Sequence, residues 1–263
     1  MSLERAPRLG APDLGAVVGG VALRFCAMNA AGSVTAMDEL RALATSRTGA
    51  VVLRTTTVHP FVHPEFRSLK NPGFDKLAPV VRELAATGAP PVVASVAGGT
   101  IEEFAFLAHA FADAGAAAVE AHLGEPWVET TLAPCERADT LHALATRMAA
   151  SSAAPVWVRL PDRCRLPYAA LASALADGGV RAVVARNDFT GFEKLLLEIA
   201  TPLDVVALGN VDSGWDVSRA LAKGAKAVQL GPTLGAEGVA VFARLEREMR
   251  VARGVRREGE GRC

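Results

Sequence analysis

The chain has 263 residues, of which 51% are hydrophobic and 5% aromatic, so it can bury a large core as one α/β barrel or as two small domains. Its 28 basic and 28 acidic residues give a net charge of zero, and this balance provides no long-range field to attract nucleic acid or an anionic membrane. The four cysteines include no C-x-x-C pair, which argues against a zinc, iron–sulfur or disulfide framework and favours the reducing cytoplasm.

The first residues predict neither a targeting segment nor a membrane anchor. Residues 1–14 contain no apolar stretch, and no uncharged run in the chain approaches the roughly 20 residues that a membrane-spanning helix needs. Residues 15–25, GAVVGGVALRF, are two short apolar runs joined by glycines, which is typical of a β-hairpin. We expect residues 1–14 to be flexible and the hairpin to close the N-terminal end of the domain that follows.

Short Val-rich runs recur along the rest of the chain, and a segment of helical periodicity follows each one. The runs are apolar on both faces, as the strands of a parallel sheet covered by helices must be. Eight are found: RFCAMN (24–29), AVVLRT (50–55), PVVASVAG (91–98), AAVEAHL (117–123), PVWVRL (155–160), RAVVAR (181–186), DVVALGN (204–210) and AVQLG (227–231). The predicted helices cover residues 36–44, 74–86, 100–111, 137–150, 168–176, 192–199, 216–225 and 236–253.

The regular alternation of these elements determines the predicted fold. In the third helix, Phe104, Leu107 and Phe111 lie on one stripe that can face a sheet. Eight strand–helix units without a linker predict a single (β/α)8 TIM barrel over residues 15–253, followed by a flexible tail over residues 254–263. An open doubly wound sheet is the alternative, but it does not require so regular a count of units.

Ligand sites of such barrels lie at the C-terminal ends of the strands. After the seventh and eighth strands, LGNVDSG (208–214) and LGPTLGAEG (230–238) contain glycines, whose backbone N–H groups can approach a phosphate. These glycines could also serve only to turn the chain from strand to helix, but their position favours the phosphate. The residues that end the eight predicted strands form a polar set: Asn29, Arg54, Ser95, His122, Arg159, Asn187, Gly209 with Asn210, and Gly231.

Three arginines and one acid–base pair belong to this predicted mouth. Arg54, Arg159 and Arg186 favour an anionic or electron-rich ligand, although structural ion pairs would also explain them. His122 and Glu125 can exchange a proton near neutral pH if their geometry allows. A hydrogen-bonded core histidine and a solvated loop carboxylate are the alternatives.

The segment HPFVHP contributes two further histidines, His59 and His63. Its prolines predict an extended loop, and no carboxylate ligand is obvious. We therefore expect no metal site.

Several stretches resemble the dihydroorotate dehydrogenase family of FMN-dependent flavoprotein barrels. The resemblance implies an FMN-dependent oxidoreductase that acts on a CH–CH bond in pyrimidine biosynthesis, with a small-molecule substrate, a soluble electron acceptor and a homodimeric assembly. The stretches are CAMNAAG (26–32), RTTTVHP (54–60), SLKNPGFD (68–75), VEAHLGEPW (119–127), VRLPD (158–162) and the last two units, VDSGWDVSRALAKGAKAVQLGPTLGAEGVAVF (211–242).

The resemblance also implies roles for individual residues. Glu125 would be the catalytic base, His122 would help to orient the substrate, and Arg159 would stabilise negative charge on the reduced flavin. The residues implied in FMN binding are Ala30, Ala31, Gly32, Arg54, Arg159, Gly209, Asn210, Gly231, Pro232 and Thr233. Those implied in substrate binding are Asn71, His122, Trp127, Asn187 and Asp188.

The sequence departs from the family pattern at several of these positions. Glu125 replaces the family's Cys or Ser base, His122 and Trp127 replace two asparagines, and Pro232 replaces a threonine. The family's long insertion after the sixth strand is missing. The substrate could therefore differ from dihydroorotate, and two alternatives stay open: a phosphate-binding lyase or isomerase, and a non-catalytic ligand-binding descendant of the family.

Overall fold

The structure is a computed structural model that describes residues 14–62, 70–88, 90–187 and 191–260, without the side chains of residues 127, 129, 130 and 253–260. Eight parallel strands form the main sheet, in the spatial order β3-β12-β11-β10-β9-β8-β7-β4. They are β3 (Ala27–Asn29), β4 (Val51–Val52), β7 (Val92–Val96), β8 (Ala118–His122), β9 (Val156–Arg159), β10 (Ala182–Arg186), β11 (Asp204–Leu208) and β12 (Ala227–Leu230). This order is that of a TIM barrel, so the predicted fold is confirmed and the open doubly wound sheet is excluded.

Helices connect the successive strands and cover the outside of the barrel. They are α1 (Met37–Thr45), α2 (Phe74–Ala86), α3 (Ile101–Asp113), α4 (Pro126–Thr131), α5 (Ala138–Ser151), α6 (Tyr168–Asp177), α7 (Phe192–Ile199), α8 (Gly214–Ala222), α9 (Pro232–Glu237) and α10 (Ala240–Glu260). The short helices α4 and α9 lie in loops and were not predicted from periodicity. None of the helices in the described ranges is long and apolar enough to cross a membrane.

The barrel closes between its first and second strands, β3 and β4, largely through one side chain. The Asn29 amide group donates to the Val52 carbonyl at 2.6 Å, and its oxygen accepts from the Val52 N–H at 2.8 Å. The Gly49 N–H adds a bond of 2.8 Å to the Ala27 carbonyl. A β-carbon at Gly49 would lie 1.8 Å from the Phe25 carbonyl oxygen, so only glycine permits this approach.

The predicted N-terminal hairpin is also present. Strands β1 (Ala16–Val18) and β2 (Val21–Leu23) pair antiparallel, and their buried side chains pack against Trp157 inside the barrel. The Gly19 N–H donates to the Asp204 carboxylate at 2.8 Å. Because Asp204 begins β11, the hairpin closes the N-terminal end of the barrel and leaves the other end open.

Alternation along the strands decides which side chains reach the barrel interior. In β8, Val119 and Ala121 belong to the hydrophobic layer between sheet and helices. Glu120 and His122 therefore point inward, since successive side chains of a strand face opposite sides. Glu120 lies in the buried interior, where its carboxylate accepts from the Gln229 amide at 2.7 Å, and His122 lies one layer above it at the mouth.

A second small sheet lies beside the mouth, in the loop after β4. Strands β5 (Phe61–Val62) and β6 (Lys70–Asn71) pair antiparallel, with Phe61 opposite Asn71. This pairing was not predicted from the sequence. His63 falls between the two strands, outside the described residues.

We expect Asn29→Ala to destabilise the protein more than loss of an ordinary side-chain hydrogen bond would. The substitution leaves the buried N–H and carbonyl of Val52 without partners, at a cost of about 1–3 kcal/mol each. Denaturant unfolding measures the change as a lower midpoint. The control is Thr87→Ala, which removes only a local bond of 2.8 Å to the Leu84 carbonyl. Equal effects in the two variants would mean that Asn29 does not hold the barrel closed.

Candidate active site

One cavity of about 980 Å³ opens at the C-terminal ends of the barrel strands. Its walls come from the loops after six of the eight strands and from Arg186 at the end of β10, so no single loop defines it. The predicted site residues that line it are Ala30, Ala31, Gly32, Arg54, Asn71, His122, Glu125, Arg159, Gly209, Asn210, Gly231 and Pro232. Other lining residues were missed, among them Ser33, Thr35, Thr55, Phe61, Lys70 and Arg163.

His122 and Glu125 form a hydrogen-bonded pair at the floor of the cavity. β8 ends at His122, and Pro126 begins α4, so the intervening turn returns Glu125 to the imidazole. Glu125 Oε1 lies 3.0 Å from His122 Nδ1, and the two side chains are only 12% and 13% exposed. Glu125 is the N-cap residue of α4, but its carboxylate makes no capping bond and is free for this contact.

Two hydroxyl groups continue the chain of hydrogen bonds that begins with this pair. Thr55 Oγ1 lies 3.0 Å from His122 Nδ1, and Ser95 Oγ lies 3.2 Å from Thr55 Oγ1. Because an ionised carboxylate only accepts hydrogen bonds, the proton of the neutral imidazole is on Nδ1, facing Glu125. The Nε2 atom then carries the lone pair.

The electrostatic environment keeps the imidazole neutral and the carboxylate ionised. Burial lowers the pKa of His122, and the positive charge of Arg159 lowers it further, whereas Glu125 and Glu120 offset these effects only in part. Burial acts to raise the pKa of Glu125, but the hydrogen bond from His122 and the positive charges nearby outweigh it, so this pKa lies below its ordinary value. Arg159, the register neighbour of His122 on β9, supplies the positive charge that balances the carboxylate.

The three arginines of the mouth differ in the salt bridges and hydrogen bonds that they form with the protein. Arg186 pairs with Asp162 at 3.3 Å. Within the described part of the chain, Arg159 has no carboxylate within salt-bridge distance, and neither has Arg54. Arg54 donates to the Lys70 carbonyl, its buried Nε has no hydrogen-bond partner, and burial lowers its pKa. Arg54 and Arg159 therefore line the cavity without a salt-bridge partner among the described residues, which favours an anionic ligand.

The glycine turns after β11 and β12 provide part of the predicted phosphate-binding site. Gly209 and Asn210 both have positive φ angles, 75° and 53°, and a β-carbon at Gly209 or Gly231 would meet no heavy atom within 4 Å. The Gly209 N–H, however, donates to the Gln229 carbonyl at 2.9 Å and is not available to a ligand. No described residue accepts from the N–H of Asn210 or Gly231, so these two amides are the donors that remain.

Other predicted ligand-binding residues already form hydrogen bonds within the protein. The Asn71 side-chain oxygen accepts from the Thr57 hydroxyl and from the Gly73 N–H, both at 3.0 Å, and no described residue accepts from its amide nitrogen. The Thr233 hydroxyl lies 2.6 Å from an Asp212 carboxylate oxygen, and Thr233 does not line the cavity.

Three of the predicted substrate-binding residues are not seen in the cavity wall. Asn187 follows β10 and does not line the cavity, and its N–H donates to the Leu208 carbonyl at 3.0 Å. Trp127 lies in α4, but its side chain is outside the described part, as is the whole of Asp188. Their predicted roles stay predictions.

Thr55 is the missed residue with the clearest contact to the candidate catalytic pair. A threonine directly after a strand is a common sequence feature, and its contact with His122 depends on how β4, β7 and β8 are placed side by side. The only available signal was its position at a strand end.

An α/β barrel with a cationic mouth and a buried acid–base pair is thus the class that fold and site define. No protein-family model matches the sequence, and no curated protein matches it. Among solved structures, the chain is similar to a dihydroorotate dehydrogenase (DHODH) from Eimeria tenella crystallised with ferulenol, with a TM-score of 0.76 and 13% identity over 92% of this chain and 85% of that one. At this identity the similarity shows a DHODH-like fold.

Removing the two charged neighbours of His122 should shift its pKa in opposite directions. Arg159→Met removes the charge that disfavours the imidazolium, so the pKa of His122 rises. Glu125→Gln removes the carboxylate that favours the imidazolium, so the pKa falls. NMR titration of the His122 ring protons measures both changes, with Arg165→Met, an 80% exposed side chain on the β9–α6 loop, as the control. Shifts of the same sign in the two variants would contradict the electrostatic assignment.

Proposed function

We propose that this chain is an FMN-dependent oxidoreductase that acts on a CH–CH bond of a small anionic substrate, with dihydroorotate as the first candidate. One observation carries the proposal: in a DHODH-like barrel, the His122–Glu125 pair shares a cavity with Arg54 and Arg159, which have no salt-bridge partner among the described residues. An acid–base pair next to fixed cations suits removal of a proton from an anionic substrate.

The residues present fit an FMN. The cavity of about 980 Å³ lies within the range of cofactor sites, and Gly209 and Gly231 leave open space where side chains would intrude. The free amides of Asn210 and Gly231 would hold its phosphate. Pro232 has no N–H, so this grip has fewer donors than a turn with threonine at that position.

We assign the proton-accepting atom to Nε2 of His122. Glu125 was predicted from the sequence as the base, but its lowered pKa makes its carboxylate a weak one, and it is already bonded to Nδ1. An imidazole held by a carboxylate at Nδ1 can accept a proton at Nε2, and the carboxylate then stabilises the imidazolium. Glu125 thus positions and stabilises His122, and Thr55 supports the same orientation.

The remaining polar groups would bind and orient the ligands. Arg54 would hold an anionic group of the substrate, together with the Asn71 amide, while Arg159 stabilises negative charge that develops beside it. When bound, FMN supplies a two-electron acceptor for hydride. The low exposure of His122 and Glu125 keeps bulk water from the proton transfer.

A lyase or isomerase that acts on a phosphorylated substrate is the second candidate. The observation in its favour is that the His122–Glu125 pair is assembled by protein groups alone, so proton transfer does not require a flavin. The two candidates share the anion-binding residues and differ in the need for FMN.

Binding of FMN is the direct test of the first candidate. We expect the purified protein to show the visible absorption of oxidised flavin, or to acquire it when FMN is added. Arg159→Met should weaken FMN binding about tenfold or more, the loss expected for one charge-assisted contact. Arg165→Met, which changes an 80% exposed side chain in the loop after β9, should bind as the wild type does. A colourless protein that does not take up FMN would leave the lyase or isomerase.

Turnover of dihydroorotate by the flavin-loaded protein tests the assignment of the base. His122→Gln should lower kcat by about 10²–10⁴, the usual contribution of a general base. Glu125→Gln, which keeps an acceptor for Nδ1 and removes only the charge, should have the smaller effect. A larger loss in Glu125→Gln would return the role of base to Glu125. FMN binding without any turnover would refute dihydroorotate as substrate and leave the cofactor proposal standing.

A further inference from the structure

Two cysteines that are distant in the sequence meet beside the cavity. Cys135 lies in the loop between α4 and α5, and Cys164 lies in the loop between β9 and α6. The Cys135 carbonyl accepts from the N–H groups of Arg165 and Leu166, at 3.2 and 3.3 Å, and lies 3.5 Å from the Cys164 sulfur. These backbone contacts hold the two loops together and bring the Cys164 sulfur close to Cys135.

The two thiols differ in exposure and in acidity. Neither cysteine forms a disulfide in the structure; Cys135 is buried and Cys164 is partly exposed. The hydrogen bond from Cys135 lowers the pKa of Cys164, and the N–H of Leu166 adds to this effect, which together outweigh burial. A partly exposed, more acidic thiol next to a second cysteine is the usual arrangement of a reactive cysteine and its resolving partner.

We propose that Cys164 and Cys135 form a reversible disulfide that joins the loops after β8 and β9. With a small disulfide such as oxidised glutathione, the Cys164 thiolate attacks one glutathione sulfur and displaces the other as a thiolate. Cys135, after losing its proton to solvent, attacks the Cys164 sulfur and displaces the second glutathione. The two protein thiols are oxidised by two electrons, and one oxidised glutathione becomes two reduced glutathiones.

The position of this pair connects it to the cavity. The segment between β8 and α5, which carries Cys135, also contributes Glu125 and Pro126 to the cavity wall, and the β9–α6 loop contributes Pro161, Asp162 and Arg163. A covalent link between them would fix the distance between two walls of the cavity. The inference does not rest on the proposed function, because it concerns thiols that lie outside the acid–base pair.

Redox titration of the purified protein tests the proposal. Reduced protein is equilibrated with mixtures of oxidised and reduced glutathione, alkylated, and analysed by peptide mass spectrometry. Cys263, which lies outside the described residues, is replaced by Ser in every sample so that it cannot react. We expect a Cys135–Cys164 cross-link that disappears on return to reduced glutathione. The oxidised protein should also have a higher melting temperature than the reduced protein.

The single variants separate the two steps. Cys135→Ser should stop at a mixed disulfide between Cys164 and glutathione, Cys164→Ser should not react, and neither should gain thermal stability on oxidation. Cys26→Ser, which removes another buried cysteine, should form the cross-link as the wild type does. The proposal fails if the protein with both cysteines intact stops at the mixed disulfide, or if neither thiol reacts.

Discussion

The structure depends on closure of the sheet between β3 and β4. These two short strands run side by side, and the side chain of Asn29 supplies two of the hydrogen bonds that join them. Without closure, the loops after the first and second strands, which carry Ala30 and Arg54, would not face the loops after β8 and β9 across one cavity. Gly49 contributes by allowing the backbone of the second unit to lie against the first. The site is therefore a product of the closed barrel rather than of any single loop.

The layer below the mouth is unusually polar for a barrel interior. Glu120 and Gln229 bond to each other, yet Glu120 Oε1 and Gln229 Oε1 are buried without a partner among the described residues, as is Trp157 Nε1. Glu120 raises the pKa of His122, which lies above it on the same face of β8, and so opposes the effect of Arg159. The buried carboxylate is thus part of the electrostatic environment of the candidate base.

The sequence predicted those features that depend on local periodicity and on strand ends. The eight strands, the N-terminal hairpin and the placement of His122, Arg159 and Gly231 at one mouth all follow from patterns within single units. Features that depend on register between units were not predictable. The N–H of Gly209 bonds to Gln229 because β11 and β12 are aligned in one particular way, and Cys135 meets Cys164 only when two loops fold over neighbouring strands. The β5–β6 pairing was not predictable, because each strand has only two residues.

The electrostatic environment of His122 explains why, in the proposed reaction, a histidine suits the role of base better than a free carboxylate. An ionised Glu125 in direct contact with an anionic substrate would face a repulsion of about 4 kcal/mol at 4 Å, using an effective dielectric constant of 20. A neutral His122 does not repel an anionic substrate, and the Glu125 carboxylate, 3.0 Å away, stabilises the positive charge that His122 gains with the proton. Arg159 helps on both counts, because it keeps the imidazole neutral before proton transfer and attracts the anion. Burial and Arg159 therefore disfavour a positive charge on His122 before the substrate's proton arrives. Glu125 stabilises that charge afterwards.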